Sequence, residues 1–577
     1  MFAVAITNQP LKVSEKGINR KEFEQKDRVV TVCIDDLFTE LEQIGEYLQI
    51  TEVPFNKKRA RLNTKFLSRV VVDVKNETIE IFNPTISGRT IYYYIQNGSE
   101  FYCSTHIFLL RSLGVKLEEN REVLPEFFVY RSVMPPNTLY RGIKKMSFGE
   151  RLKFSLSNGE ISVKSSHFVF SEPKIREESI DKISREVSDI LSNSIASIKP
   201  AKSDIALLLS GGLDSSILFK LSKDILDINR TFSTDYPFLD STGNIEKRYS
   251  LSASKALGAE HSFVEFTVED YLRGFIEAID AAEEPLHHLQ SGLIYLLFKK
   301  GIPDRFHTII SGLGADVLFG FDLHNEIFAC NSPRYRVLSS LPGIKIPVKL
   351  MVRLTGRGEG IYQKIKLRNI LKNSINIGNP THVIWELGAY GSEQWAMKYF
   401  GCSYDDIINS RFRAINKYRN HSLYDLISIL GTIDLIRATL EIWNKLAEKN
   451  KKMIYNPFCE EELLNYSMSI PWDIKLQKPK NVLRHVARLL KVPEFIITRR
   501  KSGFGMGAEA WAVKGGAFEP LIPLCNGIFE REKMVQLQST DPKKSMTFWN
   551  ILNYCIWKRL FIYNESVDDL VEELNVK

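Results

Sequence analysis

Cysteine is scarce and scattered. The seven cysteines (Cys33, Cys103, Cys330, Cys402, Cys459, Cys525 and Cys555) are spread over 577 residues with no Cys-x-x-Cys pair. That spacing speaks against a zinc knuckle or a disulfide framework and leaves reduced, mostly buried thiols as the expectation. Long apolar runs are also missing. None approaches the roughly 18–20 residues of a membrane span, and Met1 to Gly17 lack the basic segment and apolar stretch of a secretory signal. There is no block of like charge, no internal repeat and no low-complexity tract. The formal net charge of +8 is small for this length, with Lys and Arg interleaved among Asp and Glu. Neither nucleic acid nor membrane is an expected partner, and a soluble cytoplasmic protein is.

What is present is the composition of a folded protein, 44% hydrophobic and 25% charged, in a chain long enough for at least two domains. The first part holds short strand-like segments, Arg69–Val74, Thr78–Phe82, Thr90–Tyr94 and Phe101–Cys103, separated by turns such as Asn97-Gly98. Antiparallel hairpins are the reading. Arg151–Phe154 and Ile161–Val163 extend the pattern, which ends near Pro173, and Ile175–Ile198 reads as an amphipathic connecting helix. From Ile205 strands and helices alternate. Ile205–Leu209 is a buried apolar run, followed by a helix from Ser215, a strand near Thr231-Phe232, a helix over Asn244–Leu257 and strands at Phe263–Phe266 and His307–Ile310. Such repetition predicts a parallel sheet covered by helices, and beyond about Asn325 the chain reads as predominantly helical.

Between the Ile205 strand and the next helix lies Ser210-Gly211-Gly212-Leu213-Asp214-Ser215-Ser216. Two glycines let the backbone turn tightly and bring N–H groups near a ligand, serines add hydroxyl donors, and the starting helix presents its positive end. This is an anion site suited to pyrophosphate. A carboxylate beside phosphates needs an intervening cation, so Asp214 reads as a Mg²⁺ ligand.

The full string in its strand–loop–helix setting resembles the signature of the ATP pyrophosphatase (PP-loop) superfamily, and further segments resemble its asparagine synthetase branch, which includes β-lactam synthetases and lasso-peptide macrolactam cyclases. Those segments are Phe232-Ser233-Thr234, Glu246, Ala253 to His261, Ser311-Gly312-Leu313-Gly314-Ala315-Asp316, Lys480 to Arg484, and the basic Arg499-Arg500-Lys501-Ser502-Gly503-Phe504-Gly505. The resemblance implies an α+β N-terminal, Ntn-like β-sandwich domain over 1–174. It implies an α/β PP-loop (adenine nucleotide hydrolase-like) parallel-sheet domain with a mainly helical C-terminal part over 175–577. ATP and Mg²⁺ are the implied cofactors. Leu209, Ser210, Gly211, Gly212, Asp214, Ser215, Ser216, Thr234, Ser311 and Gly312 would hold the nucleotide, Asp214 and Asp316 the metal, and Lys501 would act on the α-phosphoryl group.

Two departures narrow the expectation. The branch's glutaminase members carry a cysteine after the initiating Met, where this chain has Phe2, and asparagine synthetases carry a glutamate where this chain has Leu313. Leucine takes no proton. The losses favour an intramolecular amine, and so a lactam or macrolactam made from a small-molecule or peptide substrate, with a leader-binding protein and a protease as conceivable companions. Asparagine synthesis and a catalytically dead scaffold are the competing expectations. Glu441 is the candidate base, and His287-His288 are candidates for the acceptor pocket.

Overall fold

The computed structural model describes residues 1–7, 19–25, 28–34, 39–44, 47–52, 68–73, 76, 78–83, 86, 89–98, 100–155, 161–165, 170, 177–198, 204–236, 245–320, 322–341, 344, 346–347, 349, 361, 364–365, 367–368, 393–499 and 510–575. Alternation governs the first part. In Thr78–Asn83 every second side chain, Ile79, Ile81 and Asn83, is buried and the others are half-buried, as a strand with one face inward requires. Two six-stranded sheets result, antiparallel in every pairing. They face each other across a core of Val4, Val32, Phe101, Val70, Ile81 and Phe154.

Strand Phe2–Thr7 is buried on both faces. Phe2, Val4 and Ile6 point between the sheets. The small Ala3 and Ala5 point the other way, into a second core shared with Tyr271, Phe275, Trp549 and Trp557 from the later chain. Sheets and later helices thus share buried apolar surface.

The third sheet is five-stranded and wholly parallel. Its spatial order is Glu260–Val264, Arg230–Thr234, Ile205–Leu208, Thr308–Ile310, Met453–Tyr455. Helix Ile180–Ser197 is capped by Ser179, whose hydroxyl accepts from the Lys182 N–H, and buries Ile183, Val187, Leu191 and Ile195 at helical spacing. It packs on helices Leu213–Leu226 and Asn481–Leu489. Among the described residues no helix is long and apolar enough to cross a membrane.

Two local readings change, and one strand appears that was not foreseen. The connecting helix begins at Ile180, and Ile175 lies outside the described residues. The strand expected at Phe263–Phe266 runs instead over Glu260–Val264. It is an edge strand, where the polar His261 is satisfied by its neighbour: Nδ1 lies 2.9 Å from Thr231 Oγ1 and Nε2 lies 3.0 Å from Ser233 Oγ. Strand Met453–Tyr455 sits inside the stretch read as predominantly helical, because three apolar residues carry no period that separates strand from helix.

Candidate active site

The parallel sheet reverses its winding between two neighbours. From Ile205–Leu208 the chain builds outward to one edge, and from Thr308–Ile310 it proceeds to the other. Loops leaving these two strands lie at the carboxyl end of the sheet, beside a crevice. Both glycine-rich turns lie there, and they are built alike. The Ser210 hydroxyl accepts the Gly212 N–H at 3.3 Å, and the Ser311 hydroxyl accepts the Leu313 N–H at 3.3 Å.

Gly211 adopts φ +72°, and a Cβ there would meet the Tyr249 carbonyl oxygen at 2.5 Å. Only glycine allows the loop so close to helix Ile245–Leu257. A Cβ on Gly312 would lie 3.4 Å from Asp214 Cβ and Ser215 N, so the two turns themselves are in contact. Helix Leu213–Leu226 starts from this joint with Gly212 as its cap, aiming its partial positive charge into the crevice.

The crevice is a cavity of about 790 Å³. Leu208, Phe232, Phe263, Ile294 and Leu297 supply apolar wall, and Ser233 and Thr234 add polar edge. Ser210, Gly212, Asp214, Ser215, Ser311, Gly312, Leu313 and Asp316 line it from the two turns, and helix Asp322–Cys330 contributes Asn325, Glu326 and Ala329. Of the remaining residues expected to hold nucleotide, Gly211 forms the turn. Leu209 is buried behind it, donating its N–H to the Phe232 carbonyl at 2.9 Å. Ser216 is fully buried, and its hydroxyl does not line the cavity.

Asp214 and Asp316 converge on one cation, the Lys480 ammonium. It contacts Asp214 Oδ2 and lies 2.6 Å from Asp316 Oδ1. Burial opposes the charge on Lys480, but the two carboxylates outweigh it and hold the group above its ordinary pKa. Two carboxylates meeting at one point are a hard-oxygen donor set, and Mg²⁺ characteristically takes one or two carboxylates together with substrate phosphates. The residues present therefore fit that ion.

Arg484 and Arg499 also line the cavity. Arg499 Nη2 pairs with Glu246 Oε1 at 2.8 Å, and its guanidinium carbon lies 3.5 Å from the centre of the Tyr249 ring. This ties the end of helix Glu494–Thr498 to the helix against which Gly211 packs. Lys501 lies outside the described residues.

Three expected residues sit elsewhere. Glu441 does not line the cavity. It is buried between Arg437 Nη1 at 2.6 Å and Lys145 Nζ at 3.1 Å. Burial works against its charge, but Arg437 and Lys145 prevail and hold its carboxyl below the usual range, which suits a structural counterion and not a base. His287 and His288 are likewise absent from the lining, and burial keeps both imidazoles neutral.

Lys480 and Arg499 stood in the sequence only inside segments of the resemblance, with no role of their own. Lys480 did leave one trace: it occupies the cap position of helix Asn481–Leu489 with φ +55°, a cation at the positive end of a helix where Ser or Asp is favoured. A local choice that breaks the local rule marks a tertiary demand.

Comparison with known proteins agrees with this geometry. A family model described as "Asparagine synthase" matches residues 186–550. The chain is 24% identical over 434 residues to "Asparagine synthetase (glutamine-hydrolyzing) 1" of Bacillus subtilis (strain 168), a match covering 73% of this chain and 65% of that protein. It is 20% identical over 493 residues to "Putative asparagine synthetase (glutamine-hydrolyzing)" of Mycobacterium tuberculosis (strain ATCC 25618 / H37Rv), covering 80% of this chain and 71% of that one. The chain thus spans slightly under two thirds of the Bacillus protein it matches.

Proposed function

Since the chain belongs to the asparagine synthase family, we propose that it is an ATP-dependent, AMP-forming ligase that activates a carboxylate and joins it to an amine. One observation carries the reading: two Ser-Gly turns, each followed by a carboxylate, meet where the parallel sheet reverses. That arrangement suits a polyphosphate and its cation.

In the reaction a substrate carboxylate oxygen attacks the α-phosphorus and pyrophosphate leaves. The amine then attacks the acyl carbon, AMP departs and the amine loses a proton. No protein nucleophile is needed, so the chain contributes position and charge. The walls of Phe232, Phe263 and Leu297 hold the base, the N–H groups of the turns and the start of helix Leu213–Leu226 face the phosphates, and Lys480 and Arg484 supply cations at the departing end. Asp214 and Asp316 would hold Mg²⁺, which would supply further charge neutralisation toward the phosphates. Lys501 is assigned to the α-phosphoryl group. The paired antiparallel sheets are assigned to a glutaminase-like unit over 1–174 and the remainder, 175–577, to the synthetase unit.

For the amine we favour an intramolecular one, giving a lactam or macrolactam. Leu313 lines the cavity with apolar surface, and the two cysteines of the first unit are buried, with burial pushing the Cys33 thiol up to about 11 and Cys103 higher still. Such thiols are poor nucleophiles for glutamine hydrolysis. A second reading is asparagine made from aspartate, with ammonium or glutamine as nitrogen source, and it is supported by the likeness to proteins named asparagine synthetase.

The adenylation step is tested with substrate carboxylate labelled in both oxygens with ¹⁸O. Label should appear in AMP at one atom per turnover. Formation of ADP and phosphate, or AMP without label, contradicts the reading. Assay of the same protein with aspartate, ammonium and ATP separates the two amines, since accumulation of asparagine supports the second.

A further inference from the structure

Lys480 poses a question that adenylation alone leaves open. Its ammonium occupies the point where Asp214 and Asp316 meet, taking one oxygen from each. Those are the carboxylates assigned to Mg²⁺. Two cations held between the same oxygens repel strongly in a partly buried site, so ammonium and metal exclude each other there. The lysine is also kept in place against local preference. It has the left-handed φ of +55° and heads helix Asn481–Leu489, whose positive end disfavours it. The two carboxylates overcome both costs, and their neutralisation by another cation would release the side chain. Release has somewhere to lead, because Lys480 lines the cavity beside Pro479, Arg484 and the Ser210 turn. A phosphate chain there would offer the ammonium new anionic partners.

We propose that Lys480 is a built-in counterion that fills the Asp214–Asp316 cleft in the empty protein and is exchanged for the divalent cation only when nucleotide phosphates arrive to receive it. Before that moment the lysine keeps two neighbouring carboxylates from repelling and holds both turned toward one point. It also makes the cleft refuse free metal, so the metal enters with the nucleotide. The proposal rests on the assignment of Asp214 and Asp316 as metal ligands.

The test is Mn²⁺ binding to the full chain without nucleotide, followed by electron paramagnetic resonance of free Mn²⁺. Wild type should bind weakly, Lys480→Met at least about tenfold more tightly, and Lys480→Met/Asp316→Asn should lose the gain. Equal affinity of wild type and Lys480→Met overturns the exchange while leaving the metal assignment standing. Absence of Mn²⁺ binding in every variant, with ATP or without, overturns both. The wild type alone gives a check that needs no variant to fold. Millimolar Mn²⁺ without nucleotide should leave its melting temperature unchanged, and a rise in that temperature overturns the proposal.

Discussion

At the scale of single residues, Lys475 shows how burial sets a charge. Its side chain is fully buried, the ammonium lies 4.0 Å from the centre of the Trp472 ring, and it has no hydrogen-bond acceptor among the described residues. Burial lowers its pKa from 10.5 to about 7. Between those values the unfolded chain holds a proton that the folded one does not, so this group makes stability rise with pH from 7 to 10.5 and exacts its full cost below 7. Lys475→Met removes the effect. Urea unfolding at pH 6.5 and 9.5 should find the methionine variant favoured at the lower pH, with an advantage smaller by roughly 3 kcal/mol at the higher one. Parallel pH profiles would refute this. What sequence reveals at this scale depends on contiguity. Asp214 and Asp316 stood out because each sits in an unbroken glycine-rich string, and the structure brings them together. The Lys480 pairing crosses 266 positions to Asp214, and no local pattern reports such a distance.

At the scale of elements, function rests on how closely one backbone approaches another. The Gly211 turn touches helix Ile245–Leu257, and the Gly312 turn touches the start of helix Leu213–Leu226. Gly211→Ala places a Cβ against the Tyr249 carbonyl at a residue with positive φ. Backbone strain alone is worth about 1–3 kcal/mol, and relief must come from moving the loop or the helix. The variant should melt lower than wild type and bind ATP at least about tenfold more weakly by isothermal titration calorimetry, whereas Gly98→Ala, with open space around its Cβ, should leave binding unchanged. The strand–loop–helix order was readable because apolar runs alternate with amphipathic ones. Met453–Tyr455 was not, since its strand character comes from pairing with Thr308–Ile310 and not from its own three residues.

At the scale of the molecule, the sheets of the first part and the later helices are joined by charge as well as by apolar packing. Lys445 Nζ lies 2.8 Å from Glu283 Oε2 and donates to Tyr92 Oη at 3.0 Å, while Glu283 also accepts the Ile107 and Phe108 N–H groups at 3.0 and 2.7 Å. Burial opposes the Glu283 charge, but Lys445 prevails and lowers its pKa. Lys445→Ala strands that carboxylate in the interior and should cost about 3–5 kcal/mol, measured as a loss of melting temperature that Glu283→Gln in the same chain partly restores. This joint was illegible in sequence, because Lys445 lies in helix Arg437–Lys449, Glu283 just after helix Val268–Ala282, and their partners Tyr92, Ile107 and Phe108 are far away along the chain. The central claim remains that the crevice between the two Ser-Gly turns activates a carboxylate on ATP. Exchange of labelled pyrophosphate into ATP, driven by a panel of amino-acid and peptide carboxylates, tests it directly. The wild type should catalyse carboxylate-dependent exchange, and Asp214→Ala and Asp316→Ala should each lower it by more than about 100-fold, since even the outer partners of a metal site are worth 10–100-fold. Exchange at the wild-type rate in either variant would contradict the account.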